Sequence, residues 1–115
     1  MIFFEHSFID KDNKVAEFSA LENNKISGSC TLVLTDKYAE ITKLDYAENC
    51  AYVVEGLLKA AFNLAGLRGY YMGRCSVDNI EFCLKRLNFT KTENGYENDI
   101  PSILMGSCAG CQNNS

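Results

Sequence analysis

The run from Asn49 to Phe89 reads NCAYVVEGLLKAAFNLAGLRG (49–69), YYMGRCS (70–76) and VDNIEFCLKRLNF (77–89). Its first part places Val54, Leu57, Leu58, Ala61, Leu64 and Ala65 at helical spacing. Asn49 is positioned to cap this helix, and Gly66 to end it in the left-handed conformation. Tyr70 to Arg74 is short and β-rich, so it reads as a strand. Asp78 and Glu81 have capping-box spacing for a second helix, with Ile80, Cys83, Leu84 and Leu87 as its buried stripe and Asn88 closing it.

Outward from this unit the pattern changes to strands. Met1–Ile9, Val15–Leu21, Ile26–Thr35 and Ala39–Tyr46 alternate or cluster apolar residues, and polar turns separate them. Short turns make an antiparallel meander the natural arrangement. Gly28 marks an expected bulge. After Phe89, the segments Phe89–Glu93 and Asp99–Met105 read as a closing strand pair around Asn94-Gly95, with Pro101 at an edge or a strand start. The expected class is α+β: a mixed, mostly antiparallel sheet with two main helices. Residues 1–106 form one expected domain and residues 107–115 a flexible, Cys-containing tail.

A chain of 115 residues holds one core. The net charge of −4 argues against nucleic acid, which needs a basic face, and against anionic lipid. No apolar run is long enough to span a bilayer. The N-terminus lacks the basic, then apolar, order of a secretory signal, and the expected location is cytoplasmic. The six cysteines therefore read as free thiols. Cys108-Ala109-Gly110-Cys111 is a C-x-x-C pair. A full zinc or iron–sulfur site normally takes four ligands, and no second C-x-x-C exists. Two free thiols on a tail are the expected state. Metal or redox binding through Cys108 and Cys111, with Cys75 as a further ligand, is the alternative. His6 lies in an apolar strand and reads as structural.

The segments AEITKLDY (39–46), LLKAAFNLAGLRGYYM (57–72) and DNIEFCLKRLNF (78–89) resemble the second half of the GNAT superfamily of acyl-CoA-dependent N-acetyltransferases. The ending Arg86-Leu87-Asn88-Phe89 is similar to the family's lys-leu-gly-phe ending, with Asn for Gly. The resemblance implies a GNAT-like sheet, acetyl-CoA or CoA as ligand, and acyl transfer to an amine. It places the cofactor loop at Leu44, Tyr46, Asn49, Ala51, Tyr52, Val53 and Val54. Tyr52 and Val54 stand where the family has glycines, and Gly56 comes two positions late. It places the general acid, usually Tyr, at Leu84 and a candidate base at Glu40. The helices usual between the first two strands are missing, because only the turn Asp10–Lys14 joins them.

Three functions follow. The first is an N-acetyltransferase with a degraded motif. The second is a non-catalytic GNAT-fold binding or homodimerisation module, with Tyr52 and Val54 filling the cofactor's place. The third is the C-x-x-C metal or redox reading.

Overall fold

A computed structural model describes residues 2–47 and 51–106. The element order is β1 (Ile2–Phe8), β2 (Val15–Glu22), β3 (Lys25–Leu34), β4 (Ala39–Tyr46), α1 (Ala51–Leu67), β5 (Met72–Cys75), α2 (Glu81–Leu84), β6 (Thr90–Thr92), β7 (Gly95–Asp99) and α3 (Ile100–Met105). One seven-stranded sheet runs β1-β2-β3-β4-β5-β7-β6. Among the described residues, only β4 and β5 pair in parallel. The expected α+β class and mostly antiparallel sheet are what the chain forms.

The hairpins follow from their turn residues. Asp10 turns the chain by accepting the N–H groups of Lys14 and Val15 at 2.8–3.0 Å. Asn23 and Asn24 both have positive φ, 55° and 65°. Two such residues between β2 and β3 match the twist of the strands they join. Gly28 sits beside a register shift in the β2–β3 ladder, as expected. The missing side chain lets α1 lie close: a Cβ at Gly28 would come within 2.7 Å of Val53.

Helix α1 buries Val53, Val54, Leu57, Leu58, Ala61, Phe62 and Ala65 against the sheet. Opposing them are Ala16, Phe18 and Ala20 of β2, Cys30, Leu32 and Leu34 of β3, and Ala39 and Ile41 of β4. Strand alternation sends the neighbours of these residues to the other sheet face, which no helix covers among the described residues. That face mixes polar residues (Glu17, Ser19, Ser29, Thr31, Glu40) with the half-buried Val15, Leu21 and Val33.

Four local expectations are corrected. Gly66 lies inside α1, which ends at Leu67; the chain then turns through Gly69 (φ 94°), and the Tyr70 N–H returns to the Ala65 carbonyl at 3.0 Å. Helix α2 is four residues long, its cap position is Ile80, and no side chain caps it, so Asp78 and Glu81 form no capping box. The turn after it does close through Asn88 at φ 70°. The segment Asp99–Met105 is a helix, not a strand. Asp99 caps it by accepting the Ser102 N–H and hydroxyl, both at 2.9 Å. Pro101 fits the first turn, where no N–H is required. Finally, Cys30 and Cys75 are free, whereas Cys83 is disulfide-bonded, which corrects its reading as a free core thiol but not its burial.

Backbone N–H groups, Val15 first, hold the Asp10 carboxyl below its ordinary range, and Ser102 does the same for Asp99. Both folded-state pKa values are depressed. Their stabilisation is therefore present above the unfolded carboxylate pKa, about 4, and is lost as pH falls through the lower folded values. Replacing both residues by Asn is expected to flatten the fall of Tm between pH 5 and 2, which thermal melts across that range check.

Candidate active site

β4 and β5 pair at only three positions: Ala39 with Gly73, Glu40 with Arg74, and Ile41 with Cys75. One further contact follows, from the N–H of Ser76 to the Ile41 carbonyl at 3.1 Å. β5 then ends, while β4 continues to Tyr46. The two strands part, and a cleft of about 490 Å³ opens between them. Thr42, Lys43, Leu44 and Asp45 line one side and Ser76, Val77 and Asp78 the other. Among the described residues no strand pairs with β4 past Ile41 on its β5 side, so its backbone N–H and C=O groups there are open to whatever enters.

The site residues expected from the sequence are distributed as follows. Leu44 is in the cleft wall. Tyr46 lies opposite Gly28 and lines a separate groove on the β3 side. Ala51 opens α1 as described. Val53 and Val54 are in the core. Tyr52 points to the β2 side, where its hydroxyl approaches Glu22 Oε1 at 3.4 Å. Neither Tyr52 nor Val54 lines the cleft. Asn49 falls outside the described residues. Gly56 has a packing role, because the Phe4 ring of β1 lies directly over it.

Glu40 is half-buried on the uncovered sheet face, two residues before the cleft begins. It is in register with Arg74, yet Arg74 pairs with Glu97 of β7, Nε to Oε2 at 2.7 Å. The Arg74 guanidinium also stacks on the Tyr38 ring at 3.8 Å from its centroid. Glu40 makes no ion pair among the described residues. Leu84, at the position implied for a general acid, is fully buried in the core.

Cys75 is buried on the α1 side of the sheet, and Cys108 and Cys111 lie outside the described residues. Burial pushes the Cys75 thiol up to about 11 and the Cys30 thiol up to about 12. Neither is a thiolate, and so a metal ligand or nucleophile, near neutral pH. No group of three or more metal-ligating side chains occurs among the described residues. No helix among them is long and apolar enough to cross a membrane. His6 stacks on Phe18, ring centroids 5.0 Å apart.

Thr42, Lys43, Asp45, Ser76, Val77 and Asp78 were not legible as site residues. The signal was the length mismatch between an eight-residue β4 and a four-residue β5, which shows only once the two are known to pair.

No family model matches the chain, and no curated protein matches it by sequence. Solved structures do match. The Escherichia coli protein YhhK, determined in solution with coenzyme A bound, superposes with a TM-score of 0.67 at 14% identity, over 86% of this chain and 98% of that one. A Desulfovibrio desulfuricans protein assigned to the GNAT family gives 0.66 at 10% identity, over 87% and 99%. The PaiA N-acetyltransferase of Thermoplasma acidophilum, in complex with coenzyme A, gives 0.62 at 18% identity, over 75% of this chain and 61% of that one. At these identities the likeness is one of fold. A splayed β4–β5 pair, a helical crossover between its strands and these structural neighbours together identify the chain as a divergent representative of the GNAT fold.

Proposed function

We propose that the chain binds an acyl-CoA in the β4–β5 cleft and transfers the acyl group to an amine. The observation that carries this reading is the open cleft edged by the unpaired backbone of β4. The pantetheine arm of CoA carries amides, and an unpaired strand edge is the natural partner for them. Structural neighbours with coenzyme A bound support the same ligand. The cleft is not occluded by Tyr52 or Val54, which counts against the non-catalytic reading.

In the proposed reaction the amine nitrogen attacks the thioester carbonyl carbon. The C–S bond breaks and CoA leaves as its thiolate. Glu40 takes the proton from the attacking amine. The thiolate is protonated by solvent, since Leu84 has no proton to give. The cytoplasm, where acyl-CoA is available, is the proposed location.

Calorimetric titration of CoA and acetyl-CoA tests the binding step. Saturable binding is expected. Thr42→Trp adds bulk to the exposed cleft wall without touching the core and is expected to weaken binding at least about tenfold, a change of about 1.4 kcal/mol. Absence of heat and of any thermal shift at millimolar CoA would sink the proposal.

A further inference from the structure

Building on the acyl-CoA reading of the β4–β5 cleft, on which this rests, we propose that the cleft recognises the acyl-pantetheine arm of its donor and not the nucleotide end. The donor class is then the pantetheine thioesters, whatever group carries the arm. The two parts of CoA differ in chemistry. The arm is a neutral chain with two amides. The nucleotide end carries a pyrophosphate and a 3′-phosphate, strongly negative at neutral pH. The cleft offers matching groups to the first part and opposing groups to the second.

For the arm, β4 presents an open edge from Thr42 to Asp45. At about 3.3 Å per residue this is about 13 Å of strand edge, enough for both amides. The half-buried Leu44 and Val77 stand on opposite walls and give the arm's methyl and methylene groups an apolar surface. Neither contact depends on what is attached at the far end of the arm.

For the phosphates the surroundings are acidic. Asp45 and Asp78, both exposed, line the two sides of the cleft against one base, Lys43, so the lining is net negative. Carboxylates also flank the first turn of α1, where a phosphate would find free N–H groups. The Tyr52 hydroxyl meets Glu22 Oε1 at 3.4 Å. A Cβ at Gly28 would meet Val53 of that turn at 2.7 Å and the Asp45 carbonyl at 3.0 Å, so Asp45 lies beside the turn. The partial positive charge at the start of α1 is thereby offset. Lys25 is also at this end of the sheet, but it is on β3, with β4 between it and the cleft, and in register with Glu22. Residues 1, 48–50 and 107–115, outside the described set, contain no Lys, Arg or His. A phosphate set here meets repulsion, which salt screens.

Calorimetric titration of the full chain with acetyl-CoA, S-acetyl-pantetheine and 3′-phosphoadenosine 5′-diphosphate tests this. The two thioesters are expected to bind with dissociation constants within about fivefold of each other, and the nucleotide alone to give no heat at millimolar concentration. Added salt is expected to leave acetyl-pantetheine unchanged and to hold or tighten acetyl-CoA. Asp45→Asn combined with Asp78→Asn is expected to tighten acetyl-CoA at least about threefold and to leave acetyl-pantetheine unchanged. Both side chains are exposed, so circular dichroism should show the double variant folded. Acetyl-CoA binding more than about fivefold tighter than acetyl-pantetheine, or loosening with salt, or indifferent to the two Asn substitutions, overturns the proposal and leaves acyl-CoA binding in the cleft standing. Binding of neither thioester overturns both.

Discussion

Replacing Phe62 with alanine is expected to destabilise the protein by about 3–5 kcal/mol. A domain of this kind has about 5–15 kcal/mol in total, so the variant should be near the limit of folding. Phe62 is the largest fully buried side chain of the core. It meets Phe89 with ring centroids 5.8 Å apart, and it lies over Gly73, where a Cβ would come within 2.8 Å of its ring. The ring thus joins α1 to β5, at the strand pair from which the cleft opens. Gly73→Ala alone is expected to cost about 1–3 kcal/mol by overpacking the ring and Ile103. The double variant should be less destabilised than the sum of the two, because the space vacated by the ring accepts the new methyl group. Denaturant unfolding of the four proteins measures this coupling. Simple additivity would show that Phe62 and Gly73 do not share the contact.

Glu40→Gln is expected to lower kcat/KM for acyl transfer by about 10²-fold or more. The substitution keeps size and hydrogen-bonding capacity but removes the basic site. It should leave CoA affinity unchanged, since Glu40 is outside the cleft lining. It should also leave folding unchanged, because Arg74 is already held by Glu97 and Tyr38. Steady-state rates with an amine acceptor, paired with CoA titration of the same variant, separate the two effects. Full activity in the variant would remove Glu40 as the base while leaving the binding proposal standing.

Sequence pattern carried far where the signal was local. The apolar period of α1 and the Asn turn between β2 and β3 depend on residues a few positions apart, and both form where expected. The closing hairpin forms with a shifted second strand: Gly95 already belongs to β7 and pairs with Thr92, so Glu93-Asn94 is the turn. Asp99–Met105 is ambiguous in sequence because Ile100, Ile103 and Leu104 suit a strand as well as a short helix. The deciding feature was the Asp99 cap with Pro101 in the first turn, a signal of two residues against an apolar run. Counting along the chain sets Tyr52 and Val54 where the family has glycines, but it does not say where their side chains go. Helical rotation sends Val54 to the core and Tyr52 toward β2. The Arg74–Glu97 pair could not be foreseen, because it depends on β5 pairing with β7 across the intervening α2 and β6.

The short parallel ladder between β4 and β5 has a consequence for how the chain folds. On one side of it β1 to β4 form a meander, and on the other β5, β7 and β6 form a second group. Within the first group every pairing is between sequence neighbours, which closes cheaply and fast. The ladder that unites the groups requires closing a loop that contains all of α1 and returns three register pairs. It closes the longest loop of any pairing in the sheet and is the natural last step of assembly. A molecule bound across the parting strands would hold both groups at once, so occupancy of the cleft and cohesion of the sheet are thermodynamically linked.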